Sequence, residues 1–396
     1  MNIIVITHEP FPIGMACTNR ILSYTKGIVE LDHYVKVIIL RPTEKTNKLF
    51  NKNQIGEYNK VEYEYVSGTT LWPDNKLSKL FVVIKGYFNA IKFIYHFNSK
   101  NKIDALLSVS NYNFEMLVFF FISKMFRIKY IKEKSEYPFV LRNQSKWNKL
   151  YNHFYVNSIY KLFDGMIVMT NNLLDYFQDK VKKKAILTVV PMTVEYERFQ
   201  NIKCNKGVKY FAYCGEMGGN KDGVNNLLDS FKIFSQKYGD YFLYLIGDSN
   251  NSEEFIRLKQ KVKNLSLKDR IIFTGRIHRN EIPNYLCNAS VLVLARPSSL
   301  QSHGGFPTKL GEYLATGNPV IVTKVGEIPQ YLTDGKDAFL VEPDDVVKFA
   351  NKMEYVVENP DLARRVGLKG KEVVLEKFNY KKQAQKIIDL IEKVNG

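Results

Sequence analysis

The chain has 396 residues, with 57 Lys and Arg against 40 Asp and Glu for a formal net charge of +17, 45% hydrophobic residues and 13% aromatics. At roughly 100–200 residues per domain this is two domains, and such a composition excludes a disordered chain, a collagen-like repeat and a disulfide scaffold. The four cysteines, Cys17, Cys204, Cys214 and Cys287, form no CxxC pair, so neither a zinc site nor a disulfide framework is expected, and a reducing cytoplasm is.

The chain opens on MNIIVITHEP, which has no basic segment before its apolar run and no small-residue cleavage site after it. It reads as a strand, not a signal peptide. In chain order, strands are expected at Asn2–Thr7, Tyr34–Leu40, Ala105–Val109, Lys129–Lys132 and Gly165–Met169, then again at Lys209–Cys214, Tyr241–Ile246, Arg270–Thr274, Val291–Leu294, Val320–Thr323 and Ala338–Val341. Strands apolar on both faces that alternate with helices indicate α/β folding around parallel sheets. The expected domains are 1–190, a linker at 191–206, 207–375, and a C-terminal helix at 376–396 that could cross back to the first domain; 345–394 reads as helical throughout. The longest uncharged apolar run of the first half, Met116 to Ser123, falls far short of the roughly 18–20 residues of a spanning helix.

Ligands of open parallel sheets sit outside the carboxyl ends of the strands, so the loops there hold the candidates. After the first strand comes Pro10-Phe-Pro-Ile-Gly14-Met15-Ala16, where small residues let backbone approach a ligand at a helix start. After Cys214 comes Gly215-Glu216-Met-Gly-Gly-Asn-Lys221-Asp-Gly223, whose Lys221 could supply the point charge a diphosphate needs. In Gly275-Arg276-Ile277-His278-Arg279 an Arg and a His could hold a base or a diphosphate. Most informative is Arg296 followed by Gln301, His303-Gly304-Gly305-Phe306-Pro307-Thr308-Lys309 and Glu312. A Gly-Gly-Phe-Pro-Thr turn entering a helix offers free N–H groups at its positive end. Glu312, one turn from Thr308 on the same face, can accept bonds from ribose hydroxyls. The pair Asp344-Asp345 reads as a helix cap.

These motifs in this order, with the linker Pro191-Met-Thr-Val-Glu-Tyr-Glu-Arg-Phe199, resemble family 4 of the retaining glycosyltransferases over nearly the whole chain. The resemblance implies the GT-B architecture, two Rossmann-like doubly wound domains facing across a cleft, with the nucleotide-sugar donor on the C-terminal domain. It implies Glu312 on the ribose, Lys221 and Arg296 as catalytic charges on the leaving diphosphate, and Gly215, Arg276, Ile277 and the stretch His303 to Lys309 as donor contacts. Three positions depart from the pattern: Gly304 stands where the family has its first glutamate, Glu216 where it has an Arg, and Lys134-Ser135-Glu136 where many members have a catalytic His. The acceptor belongs to the N-terminal domain, with Gly14, Met15, Asn111, Ser135 and Glu136 as candidates.

The resemblance further implies transfer of a sugar from a UDP- or GDP-sugar to a hydroxyl of a glycan or polyprenyl-diphosphate-linked glycan. Retention follows a front-side path, in the setting of bacterial-type surface polysaccharide synthesis. No DxD-like motif occurs in a strand-end loop, so no metal cofactor is expected. A sugar-nucleotide epimerase or a phosphorylase shares the fold and remains an alternative; a nucleic-acid binder would suit the charge, but no such motif is present. The charge is uneven, with 28 basic and 17 acidic residues in 1–200 against 29 and 23 in 201–396. Between Lys76 and Lys102 lie six Lys and no acid, with Leu77, Leu80, Phe81, Ile84, Phe88, Ile91 and Tyr95 at helical spacing. That stripe is either core or a surface for an anionic membrane, which would make a cytoplasmic protein peripheral at the inner leaflet.

Overall fold

The apolar runs fold as parallel strands, most of them buried on both faces, in a computed structural model that describes residues 1–46, 49–138, 155–203, 207–217, 221–247 and 253–396. Two units result: Met1–Thr193 with Tyr380–Gly396, and Val194–Asn379. The division falls inside the expected linker 191–206, and the terminal segment changes unit at 379/380, four residues beyond 376.

The first unit holds an eight-stranded sheet of order β3-β4-β2-β1-β5-β6-β7-β8: β1 (Asn2–Thr7), β2 (Tyr34–Ile39), β3 (Ile55–Tyr58), β4 (Val61–Tyr65), β5 (Ala105–Ser108), β6 (Lys129–Lys134), β7 (Gly165–Val168) and β8 (Ile186–Val189). Every pairing is parallel except the β3–β4 hairpin. Strands β3, β4 and β8 were not expected from sequence. The stretch Ile55–Tyr65 alternates charged and apolar residues and lies at the sheet edge, where one face stays wet. Its turn, Asn59-Lys60, places both residues at positive φ, as a tight hairpin requires. The helix Tyr380–Asn395 packs on the helix Ala16–Val29: a Cβ on Gly27 would lie 2.7 Å from that of Ala384, and Tyr380 donates to Glu30 at 2.8 Å. Ile387 and Ile391 enter the same core as Ile3 and Val5.

The second unit is a six-stranded, all-parallel sheet of order β11-β10-β9-β12-β13-β14: β9 (Tyr210–Cys214), β10 (Phe242–Ile246), β11 (Ile271–Gly275), β12 (Val291–Leu294), β13 (Val320–Thr323) and β14 (Phe339–Val341). The run 345–394, expected as continuous helix, breaks into Val346–Glu358, Pro360–Val373 and Tyr380–Asn395. Pro360 lacks the N–H to continue a helix but is well placed to begin one. Asp345 accepts from the Lys348 amide at 2.9 Å, the cap read from sequence. Among the described residues no helix is long and apolar enough to cross a membrane.

Candidate functional site

In the second unit the strand order reverses between β9 and β12, and a parallel sheet opens a ligand crevice at such a point. The two loops leaving it are those beginning at Gly215 and Ala295. Gly223, at φ +67°, opens the helix Val224–Lys237; any Cβ there would run into the Ala295 carbonyl oxygen, so the two loops touch backbone to backbone. A Cβ on Gly215 would instead meet side-chain atoms, the end of Lys309 and the Tyr213 hydroxyl.

Beneath the loops lies a charged cluster that sequence reading did not single out. Asp222, 7% exposed, takes an ion pair from Lys309 and lies 3.7 Å from Arg296 Nε, itself 2% exposed. The Tyr213 hydroxyl, from the floor of β9, lies 3.0 Å from Asp222 Oδ2 and 2.7 Å from the Glu216 carbonyl oxygen, and accepts from Lys309 at 3.3 Å. Burial pushes the Asp222 pKa up, but Lys309 and Arg296 together outweigh it and hold the carboxyl below its ordinary value. With Asp222 ionised, its carboxylate faces both Lys309 and Arg296. Arg296, expected as a direct donor contact, is thus in this floor, its own carbonyl accepting from Thr323 at 2.7 Å.

Over this floor starts the helix Thr308–Thr316. Pro307 stands at its N-cap and gives no side-chain cap; the Leu310 amide turns back to the Pro307 carbonyl at 3.0 Å, while the amides of Thr308 and Lys309 have no intrahelical acceptor and point out of the positive end. Tyr313 ties the helix to β9, accepting from the Cys214 amide at 2.6 Å. Glu312 is half-buried and receives Arg198 Nη1 on Oε1 at 2.7 Å. Arg198 comes from the turn Tyr196–Phe199 and also donates to the Arg279 carbonyl at 2.7 Å, while Arg279 pairs with Glu195 at 2.6 Å. This chain of contacts fixes the Glu312 carboxylate and leaves Oε2 without a hydrogen bond among the described residues. Arg198 stood within the linker motif, and its role was not read there.

The remaining candidates fall around this core. The short helix Leu300–Gly304 is closed by a Ser299–Ser302 capping box; His303 is exposed, 3.2 Å from Ser298 Oγ, and Gly304 and Gly305 are buried. Phe306 packs on Tyr331 and Phe378, which anchors the turn from below. Lys221 and Arg276 are exposed and Ile277 is half-buried. Residues 218–220 of the glycine loop lie outside the described residues.

In the first unit the order reverses between β1 and β5. There His8, also not singled out from sequence, has Nδ1 3.1 Å from Ser110 Oγ and 3.9 Å from Glu115 Oε2, a carboxyl whose pKa burial raises. Lys132 is fully buried and donates to the carbonyls of Ser108 and Ser110; burial, reinforced by Lys134, lowers its pKa to about 7. Lys134 donates to Asn111 at 2.7 Å, Arg20 pairs with Glu133 at 2.7 Å, and Ser135 and Glu136 are half-buried beside them. A Cβ on Gly14 would strike the Thr18 hydroxyl, and Met15 is exposed at the helix N-cap.

Residues 194–373 match the family described as glycosyl transferases group 1. Among curated proteins, alpha-1,3/1,6-mannosyltransferase ALG2 of Dictyostelium discoideum is 28% identical over 200 residues, covering 50% of this chain and 44% of that one. N-acetyl-alpha-D-glucosaminyl L-malate synthase of Bacillus anthracis is 31% identical over 143 residues, 36% of this chain and 35% of that one. The matched stretch spans less than half the length of either relative. Sucrose-phosphate synthase from Thermosynechococcus elongatus shares the fold with TM-score 0.75 at 17% identity, over 99% of this chain and 98% of that one. HepE of Anabaena, solved in complex with UDP-glucose, does so with TM-score 0.71 at 13% identity, over 99% of each. The fold is the GT-B fold, and the likeness to glycosyl transferases group 1 lies in residues 194–373, the second unit.

Proposed function

We propose that the chain is a retaining glycosyltransferase that moves a sugar from a UDP- or GDP-sugar to a hydroxyl of a glycan or polyprenyl-diphosphate-linked glycan, in surface polysaccharide synthesis. The observation that carries this reading is the open start of the helix Thr308–Thr316 at the β9/β12 switch point, with Glu312 one turn along and fixed by Arg198. Phosphates seat at such a helix start, and a carboxylate one turn away takes the paired hydroxyls of a ribose. The mannosyltransferase named among the relatives, and the UDP-glucose in HepE, support the same donor chemistry.

The leaving diphosphate gains charge as the glycosidic bond breaks. The Thr308 and Lys309 amides, with the exposed Lys221 and Arg276, would stabilise it; one fixed donor of this kind is worth about 3 kcal/mol in a transition state. Arg296 acts as a positioning residue, holding Asp222 so that Lys309 stays under the turn. The departing phosphate oxygen would take the acceptor proton on the same face as the breaking bond, and no step is assigned to a metal. A lipid-linked acceptor would bring the enzyme to the inner face of a membrane as a peripheral protein.

The test is acceptor-dependent release of UDP or GDP from the corresponding sugar nucleotide, with the anomeric configuration of the product read by NMR. Release that requires acceptor, with the donor configuration kept, is expected. Interconversion of the sugar nucleotide without release would overturn the reading in favour of an epimerase, and an inverted product would remove the retaining mechanism.

A further inference from the structure

The helix Lys76–Lys100 buries only Gly86, Ala90 and Ile94 against its unit. The apolar stripe at helical spacing is therefore not core: Leu77 is 81% exposed, Phe81 and Phe88 66% each, and Leu80, Ile84 and Tyr95 more than half. Beside it runs the helix Asn113–Met125, in contact through Tyr87 on Phe114 and Tyr95 on Phe126, with ring centroids 5.6 and 5.8 Å apart. Its outward residues Phe114, Leu117, Phe121 and Met125 are 41–66% exposed, at the same spacing of three to four. Two neighbouring helices thus turn aromatic and aliphatic side chains to solvent side by side, and exposed apolar clusters of this kind mark interaction surfaces.

The charges around it decide what fits. Lys76, Lys79, Lys85, Lys92 and Lys100 are exposed and in no ion pair among the described residues. The segment 76–128 contains two acids only, Asp104 and Glu115. Glu115 is buried, and Asp104 accepts from the Asn2 amide at 2.8 Å. A second copy docked on this face would bring rows of like charge together, with the exposed Asp74 beside Lys76 as the nearest carboxylate in sequence. A surface that is apolar at its centre and supplies anions all round it has no such conflict.

We propose that the outer face of the helices Lys76–Lys100 and Asn113–Met125 docks on an anionic lipid bilayer, the aromatic side chains entering the acyl boundary while the lysines meet lipid phosphates. The proposal deepens the lipid-linked acceptor reading, but it rests on exposure and charge and requires no nucleotide sugar, so either can fail alone.

The test is co-sedimentation of the full chain with vesicles of phosphatidylcholine, alone or with one-third phosphatidylglycerol, for wild type, Phe81→Ser/Phe88→Ser and Lys85→Glu/Lys92→Glu. All four positions are exposed, so both variants should melt with the wild type, which a thermal scan checks. Wild type should bind the anionic vesicles and release in high salt. The lysine reversals should weaken binding about thirtyfold or more, and the phenylalanine pair roughly a hundredfold. Absence of vesicle binding, or equal binding by all three proteins, would overturn the proposal. So would a concentration-dependent dimer that Phe81→Ser/Phe88→Ser dissociates without any vesicle binding, which assigns the face to a second copy.

Discussion

Asp222→Asn removes the negative charge that pairs with Lys309 and lies 3.7 Å from Arg296 Nε. Arg296 is 2% exposed and the Lys309 side chain 18%, so neither can turn to bulk solvent without moving the loops that Gly223 holds in contact. Leaving a buried charge without its partner costs about 3–5 kcal/mol. For a unit of this size, taking about 3 kcal/mol at 2–4 °C per kcal/mol, the transition of the second unit should fall by about 6–12 °C in a calorimetric scan. The pH dependence has a fixed sign. Because the folded pKa of Asp222 lies below its ordinary value of 3.8, its stabilisation is present above that pH and is lost as pH falls through the folded value. The advantage of wild type over the Asn variant should accordingly hold at neutral pH and shrink only below about pH 4. A drop under about 3 °C at neutral pH, or an advantage that fades between pH 8 and 6, would refute the reasoning.

Other outcomes follow from single contacts. Arg198→Met should leave the fold intact yet weaken binding of a nucleoside diphosphate roughly tenfold by calorimetric titration, since Glu312 loses the bond that orients it; an unchanged Kd would contradict that role. Gly275 and Gly223 share nearly the same φ, +68° and +67°, but only Gly223 has a backbone oxygen in the way. Gly275→Ala should therefore cost about 1–2 kcal/mol of left-handed strain, and Gly223→Ala clearly more in denaturant titration; equal costs would show that the loop contact is soft. Lys132, with its pKa lowered to about 7, is neutral in the folded chain at pH 9 but protonated in the unfolded one. Its contribution to stability thus rises with pH above 7. The melting temperature of wild type relative to Lys132→Met should climb between pH 7 and 9, and a constant difference would contradict the assignment.

Most of the parallel strands were legible because burial on both faces writes a mainly apolar run; β8, whose residues are all half-buried, was not. The hairpin Ile55–Tyr65 was not, because an edge strand with one wet face mixes glutamates among its tyrosines. The start of the helix at Thr308 and the place of Glu312 on it could be read from a turn and a spacing. What holds Glu312 could not: Arg198 is 114 residues away in sequence and meets it only through the folded turn at Tyr196–Phe199. Asp222 was hidden for a related reason, since an aspartate beside a glycine reads as an ordinary loop residue until Arg296 arrives from the loop after β12 and Lys309 from the helix Thr308–Thr316. The stripe Leu77 to Tyr95 shows the limit most plainly. Periodicity reports that one helix face is apolar, and only the fold reveals that this face points away from the core.

The most direct measurement is a thermal-shift titration of UDP-, GDP- and ADP-sugars against wild type and Glu312→Ala. A ligand present at a hundred times its Kd stabilises the folded state by about 2.7 kcal/mol, which for the second unit is a rise of about 5–10 °C. At least one of these sugar nucleotides should raise the wild-type transition by that amount and leave the variant unmoved. If none stabilises the wild type, or the variant responds as strongly, the helix start at Thr308 with Glu312 is not the donor site.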